Sequence, residues 1–274
     1  MNKRRISLPG IGLLGIVLMA TSALADEFDH SEWTQLLGAY VVSINDGAST
    51  AVDYAGFAND QEALASYLRR LSTVTQVQFD GWPLDDQLAF LINAYNAWTV
   101  NLILQRYPDL ESIRDLGSIF SSPWKKDIAS LFGSKVSLDH VEHTLIRGSG
   151  RYNDPRIHFA VNCASIGCPA LANAAYTGDA LDTQLDDATR RFLGDSSRNR
   201  VARSGSSARL EVSSIFKWYR EDFRAGWRGT TSLGAFLALY GEPLSLTAEE
   251  ANQARAGDLA IRFLSYDWAL NDKP

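Results

Sequence analysis

Between Asp86 and Gln105 apolar side chains follow one another almost without interruption, with Leu88, Phe90, Leu91, Ile92, Tyr95 and Trp98 leaving no continuous polar face. A helix that is apolar all round is a buried one, so this segment is predicted to run through the centre of the fold. Asp85 and Asp86 stand where acidic side chains favour a helix start, and Pro108 closes the segment. Elsewhere the apolar positions recur at amphipathic spacing. Trp33, Leu36, Leu37 and Tyr40 form one such stripe, and Leu64, Tyr67, Leu68 and Leu71 a second within 61–71. Ser137 caps a predicted helix reaching about Arg147, with Leu138, Val141 and Leu145 inward and Asp139, Glu142, His143 and Arg147 on a neighbouring side. Asp179 is the expected cap of a helix carrying Leu181, Leu185 and Phe192. Ile215 to Arg224 reads as one aromatic-rich helix, Ser232 begins another, and Thr247-Ala-Glu-Glu250 is a capping box for a third.

Period-2 alternation is rarer. Ile157, Phe159 and Val161 alternate with His158, Ala160 and Asn162, which predicts a half-buried strand ending near Cys163, because Ser165, Gly167 and Pro169 are turn residues. On a strand, His158 and Asn162 would share one face. Val52 to Tyr54 reads as a short extended piece, 200–212 as a hairpin and 259–268 as a terminal strand. The expected fold is α+β: a mostly helical single domain over residues 26–274, with a small antiparallel sheet and a buried central helix.

Composition narrows the function classes. Hydrophobic residues at 46% and aromatics at 11% describe a globular chain. A net charge of −6, with signs mixed along the sequence, speaks against nucleic acid as a partner. Lys3, Arg4 and Arg5 precede an apolar run from Ile11 to Met19, and Ala23-Leu-Ala25 supplies a small-x-small cleavage pattern. Residues 1–25 therefore read as a signal peptide. The expected location is periplasmic or secreted, with no stable membrane insertion after cleavage.

Chemistry concentrates in Arg156-Ile-His-Phe-Ala-Val-Asn-Cys-Ala-Ser-Ile-Gly-Cys-Pro-Ala170, which holds both cysteines. In an oxidising compartment Cys163 and Cys168 form a disulfide, or one of them is an activated nucleophile. Pro169 suits the first turn of a helix, which would make Cys168 a helix cap favouring thiolate. His143, beside Glu142 and one turn after Asp139, is a possible base for Cys163, whereas His158 is expected on the opposite face of the strand from that thiol. In the central helix Asn93 and Asn96 lie three apart on one side; they either clamp a neighbouring segment or orient a site. His143, His158 and a thiol are metal-ligand types, but no tight ligand spacing supports a metal, and no cofactor motif is present.

Several segments, in order, resemble one family. They are Asp86-Gln-Leu-Ala-Phe-Leu-Ile-Asn-Ala-Tyr-Asn-Ala97, Ser122-Pro-Trp124, Ser137-Leu-Asp-His-Val-Glu-His143 with Arg147, and Asp154-Pro-Arg-Ile-His-Phe-Ala-Val-Asn-Cys-Ala-Ser165 with Cys168-Pro169. Ile215-Phe-Lys-Trp-Tyr-Arg-Glu-Asp-Phe223 and Tyr266-Asp-Trp-Ala-Leu-Asn271 follow. The pattern is similar to that of the Domain of Unknown Function 547 family over roughly 52–271, with Leu91 where a Trp is expected. The resemblance implies no settled activity, but it puts Glu142, His143, His158, Asn162, Cys163 and Cys168 on motif positions.

Two readings of function follow. One is a thiol-dependent hydrolase or transferase acting on a small molecule or peptide, with Cys163 as nucleophile, His143 as base, Glu142 or Asp139 as orienter, and Asn93, Asn96 and Trp124 on the substrate side. The other is a non-catalytic envelope binding module with a Cys163–Cys168 disulfide.

Overall fold

A computed structural model describes residues 27–118, 121–205 and 207–274. The expected signal peptide lies outside the described residues. Helix α1 (Ser31–Tyr40) leads into a hairpin of β1 (Val41–Ile44) and β2 (Ser49–Val52), and α2 (Tyr54–Asn59), α3 (Gln61–Thr73) and α4 (Gln76–Asp80) follow. Helix α5 (Leu84–Leu104) is the central one. Sixteen of its residues are buried, from Gln87 through Ile103, as its unbroken apolar run requires.

A second hairpin, β3 (Asp127–Leu131) with β4 (Ser134–Ser137), delivers the chain to α6 (Leu138–His140). Ser137 caps α6 by accepting the His140 N–H, and the helix widens into a π-helical stretch over Val141–Ile146. Helix α7 (Leu181–Gly194) starts from Ala180 with no side-chain cap, so Asp179 does not take the role expected of it. Strands β5 (Arg200–Ser204) and β6 (Ser207–Val212) form the expected hairpin. The chain ends with α8 (Ile215–Trp218), α9 (Leu233–Leu239), α10 (Ala248–Ala256) and β7 (Ala260–Phe263). Strand β7 pairs with β6 in parallel, so the strands are distributed over three small sheets, one of them mixed, rather than one antiparallel sheet. Among the described residues no helix is long and apolar enough to cross a membrane.

The buried apolar residues fall into two clusters. One surrounds α5, and the other gathers Phe192, Phe216, Phe223 and Phe236 from the C-terminal half. The segment expected to be a strand lies where they meet: Ile157 and Ala160 belong to the first cluster and Phe159 to the second. It is a 3₁₀ turn over Pro155–Phe159, not a strand. Pro155 fixes φ at the first helical position and lacks an N–H, and the Asp154 carboxylate accepts the Arg156 N–H. Every residue from Pro155 to Asn162 is buried, so the alternation of side-chain types does not correspond to an inner and an outer face. The buried Arg156 ties the turn to α7 through Asp154 and Asp182.

Candidate functional site

Three segments converge on a cavity of about 220 Å³: the π-helical stretch, the loop after the 3₁₀ turn, and the residues around α8 and the C-terminus. The π stretch supplies Glu142 and His143, with Asp139 one turn earlier. The loop supplies His158, Cys163 and Cys168. Tyr219, Trp218, Tyr266, Trp268, Trp124 and Tyr95 make the aromatic walls.

The loop is held from beneath by the central helix. Asn96 Nδ2 donates to Ala160 O at 2.9 Å, and its Oδ1 accepts Asn162 N–H at 2.8 Å. Asn93 makes the same two-point clamp on Tyr176 one turn away. Both amides are buried behind the cavity, so they position backbone and do not line the cavity, contrary to the substrate-side role expected for them. Asn162 continues the scaffold by accepting Ala164 N–H and donating to Pro169 O. That turn puts Ala164 at φ 59°, a left-handed conformation costing an L-residue about 1–2 kcal/mol. No helix follows Pro169, so Cys168 is not the helix cap that the sequence suggested.

Cys163 and Cys168 are joined in a disulfide, with Cα atoms 6.3 Å apart. Cys168 is buried and Cys163 half-buried toward the cavity. The Cys163 N–H points at Cys168 Sγ at 3.0 Å. The Tyr266 hydroxyl lies 3.2 Å from Cys163 Sγ and 3.1 Å from Cys168 Sγ. Tyr266 reaches them because Gly167 lets the C-terminal segment press against the loop. A Cβ on Gly167 would meet Asp267 O and the Tyr266 ring at 2.9 Å, and the N–H groups of Ile166 and Gly167 donate to Ala269 O and Asp267 O. The terminal segment therefore leaves β7 after Phe263 and does not extend as a strand to Trp268.

The two histidines differ sharply. Half-exposed His143 receives Arg147 Nη1 on its Nδ1 at 2.8 Å, which makes that nitrogen an acceptor and leaves the ring proton on Nε2, 3.5 Å from Asp139 Oδ1. Its lone pair is thus already engaged. His158 is buried, and its Nε2 donates to Asp222 Oδ2 at 2.7 Å. Burial lowers the His158 pKa against the opposing pull of Asp222, so the ring is neutral. Its Nδ1 is a buried acceptor with no partner. Contrary to the strand-based expectation, His158 and Cys163 border the same cavity.

Asp222 is held in turn by the Arg147 fork, through Nε at 2.6 Å and Nη2 at 3.0 Å. Burial alone would raise its carboxyl, but the hydrogen bonds from His158 and Arg147 prevail and hold it well below the usual range. Glu142 is buried, with Oε1 3.8 Å from His143 Nδ1. Burial first, and then the Glu142 carboxylate, push Tyr95 and Tyr219 up. Glu142 Oε1 meets no hydrogen-bond partner.

Of the residues expected from the sequence, Asp139, Glu142, His143, His158, Cys163, Cys168 and Trp124 line this one cavity. The sequence reading missed Asp222, and with it the standing of His158. The signal was one acid set among Phe216, Tyr219 and Phe223, in a segment read as a single helix. That helix stops at Trp218, and a 3₁₀ turn over Asp222–Arg224 aims the acid inward.

Residues 79–193, which carry α5, the π stretch and the cysteine loop, match the family described as "Protein of unknown function, DUF547". The match covers less than half of the chain. It is narrower than the span of resembling motifs, and Asp222, Tyr219 and Tyr266 lie outside it. Neither the curated proteins nor the solved structures compared include a match to this chain.

Proposed function

We propose that the cavity is the reaction site of a thiol-dependent hydrolase or transferase, with His158 rather than His143 as the base. The observation that carries this reading is the Asp222–His158 pair: one ring nitrogen is fixed by a carboxylate, the other is buried with no protein partner, and His158 lines the same cavity as Cys163. A buried acceptor that no other group meets costs about 1–3 kcal/mol, and in this reading the reaction supplies the partner.

The disulfide is the resting form in this reading. A small thiol attacks Cys163 Sγ, Cys168 leaves as a thiolate, and a second thiol completes reduction, leaving two cysteine thiols and one disulfide of the reductant. The Cys163 thiol then attacks the acyl carbon while its proton passes to His158 Nδ1. The bond to the leaving group breaks, and the leaving group takes that proton. Water or an acceptor releases the acyl group from sulfur. Glu142 and the aromatic walls hold the substrate.

The alternative, a binding module that does no chemistry, is supported by the disulfide itself. Incubating the protein with p-nitrophenyl acetate, with and without prior reduction, separates the two. Intact mass should show an acetyl adduct on reduced protein that is absent from Cys163→Ser. If reduced protein stays unacylated, the binding reading stands. The pattern at Ala23–Ala25 further supports export with cleavage before Asp26, which N-terminal sequencing of the exported chain tests directly.

A further inference from the structure

Two residues lining the cavity, His158 and Glu142, are 3% and 6% exposed, and each carries a buried polar atom with no protein partner, Nδ1 and Oε1 respectively. Both are acceptors, since the imidazole proton is committed to Asp222 and a carboxylate carries none. Tyr219 lies against the first, its ring stacked on His158 at 3.9 Å. The carboxylates bordering or backing the cavity are Asp139, Glu142 and Asp222, and no Lys or Arg is among the described residues that line it; behind it Arg147 directs three N–H groups to Asp222 and His143, and Arg114 lies over one face of the Trp268 ring. Electron-rich rings face these carboxylates, with Tyr266 4.5 Å from Trp268 and Trp218 stacked on Trp268 at 5.7 Å.

From these features we infer that the cavity recognises a protonated primary amine. Its N–H donors satisfy Glu142 Oε1 and His158 Nδ1, and its charge sits against the aromatic faces. Aromatic walls alone would accept any cation, including a quaternary one. Two buried acceptors without a protein partner call for two donors, which an ammonium group supplies; a quaternary cation supplies none and a single hydroxyl only one, so at least one acceptor then remains unsatisfied. Where the inference deepens the proposed function it rests on that reading: the amine is then the group released or accepted in acyl transfer, so amides rather than simple esters are the natural substrates.

The test measures binding and needs no chemistry. Phenethylamine, N,N,N-trimethylphenethylammonium and phenethyl alcohol are titrated into the full-length protein in its oxidised form and into Cys163→Ser, following tryptophan fluorescence and calorimetry. Phenethylamine should bind at least about tenfold more tightly than either analogue, and Glu142→Gln should erase that preference. Equal affinity for the trimethyl compound would reduce the site to a generic aromatic cage and overturn the inference, as would equal affinity for the alcohol. The three-probe comparison on unaltered protein decides the matter even if Glu142→Gln does not fold. Amine selectivity without acylation of reduced Cys163 would sink the catalytic reading alone, and acylation without amine selectivity would sink this inference alone.

Discussion

His158 Nε2 lies 2.7 Å from Asp222 Oδ2, and 64 residues of chain separate the two. The contact joins the 3₁₀ turn, at the seam of the two apolar clusters, to the segment after α8. It fixes the imidazole in the one tautomer that leaves Nδ1 an acceptor with no protein partner. Asp222→Asn should reverse that choice, since the amide can donate to Nε2 and drive the proton to Nδ1. Acylation of reduced Cys163 should then slow by about a hundredfold or more. Arg147 also loses its charged partner, which should lower stability by about 1.5–3 kcal/mol in urea denaturation. Unchanged acylation would show that the tautomer does not matter.

Stability should fall as pH drops below neutrality. His30 is pushed down to about 3, chiefly by burial, and His158 is lowered for the same reason. The unfolded chain takes up a proton on each near pH 6.5 and the folded chain does not, so each group removes up to about 1.4 kcal/mol per pH unit below that value, until its own folded pKa is reached. Asp222, held low by His158 and Arg147, adds a loss only below about pH 4, where the unfolded carboxylate protonates first. All three act in the same direction. Urea midpoints at pH 7, 5 and 4 should fall in that order, and His30→Gln should flatten the trend. A midpoint that rises toward pH 4 contradicts this assignment.

Asn96→Leu should destabilise the fold by about 1–3 kcal/mol for each group left unpaired, namely Ala160 O and Asn162 N–H. Because Asn96 holds the loop leading into Cys163, the reduced variant should also lose reactivity beyond what its stability explains. Midpoint and acylation rate measured on the same sample separate the two effects.

Gly167→Ala should push Tyr266 away from the sulfurs, because the added methyl meets Asp267 O and the Tyr266 ring. The expected result is weaker binding of an aromatic amine together with some loss of stability, because the Asp267 carbonyl is backbone and must shift with the terminal segment. Hydrogen exchange should show faster exchange at Ile166 and Gly167, whose N–H groups donate to the terminal segment.

The helical part of this fold was legible because its signals are local. The apolar run of α5, the Ser137 cap and the Thr247 box each act within a few residues, and each appears where the sequence puts it. The 157–162 alternation misled because period-2 patterns report a face only when one side meets water, and here both sides are buried. Asp154-Pro155 carried the opposing local signal for a helical turn. The candidate site was legible in its cysteines, Glu142 and His143, which occupy adjacent segments. Asp222, Tyr219 and Tyr266 reach the cavity only through tertiary packing, and no spacing in the chain encodes their distance to His158.

The most direct test of the account compares His158→Gln and His143→Gln in acylation of reduced protein by p-nitrophenyl acetate, followed by intact mass. Gln at 158 can still donate to Asp222 but offers no imidazole lone pair, and iodoacetamide labelling of Cys163 verifies that the thiol remains accessible. The account predicts acylation slowed about a hundredfold or more in His158→Gln and little changed in His143→Gln. Equal rates in His158→Gln and unaltered protein, or a loss confined to His143→Gln, would contradict it.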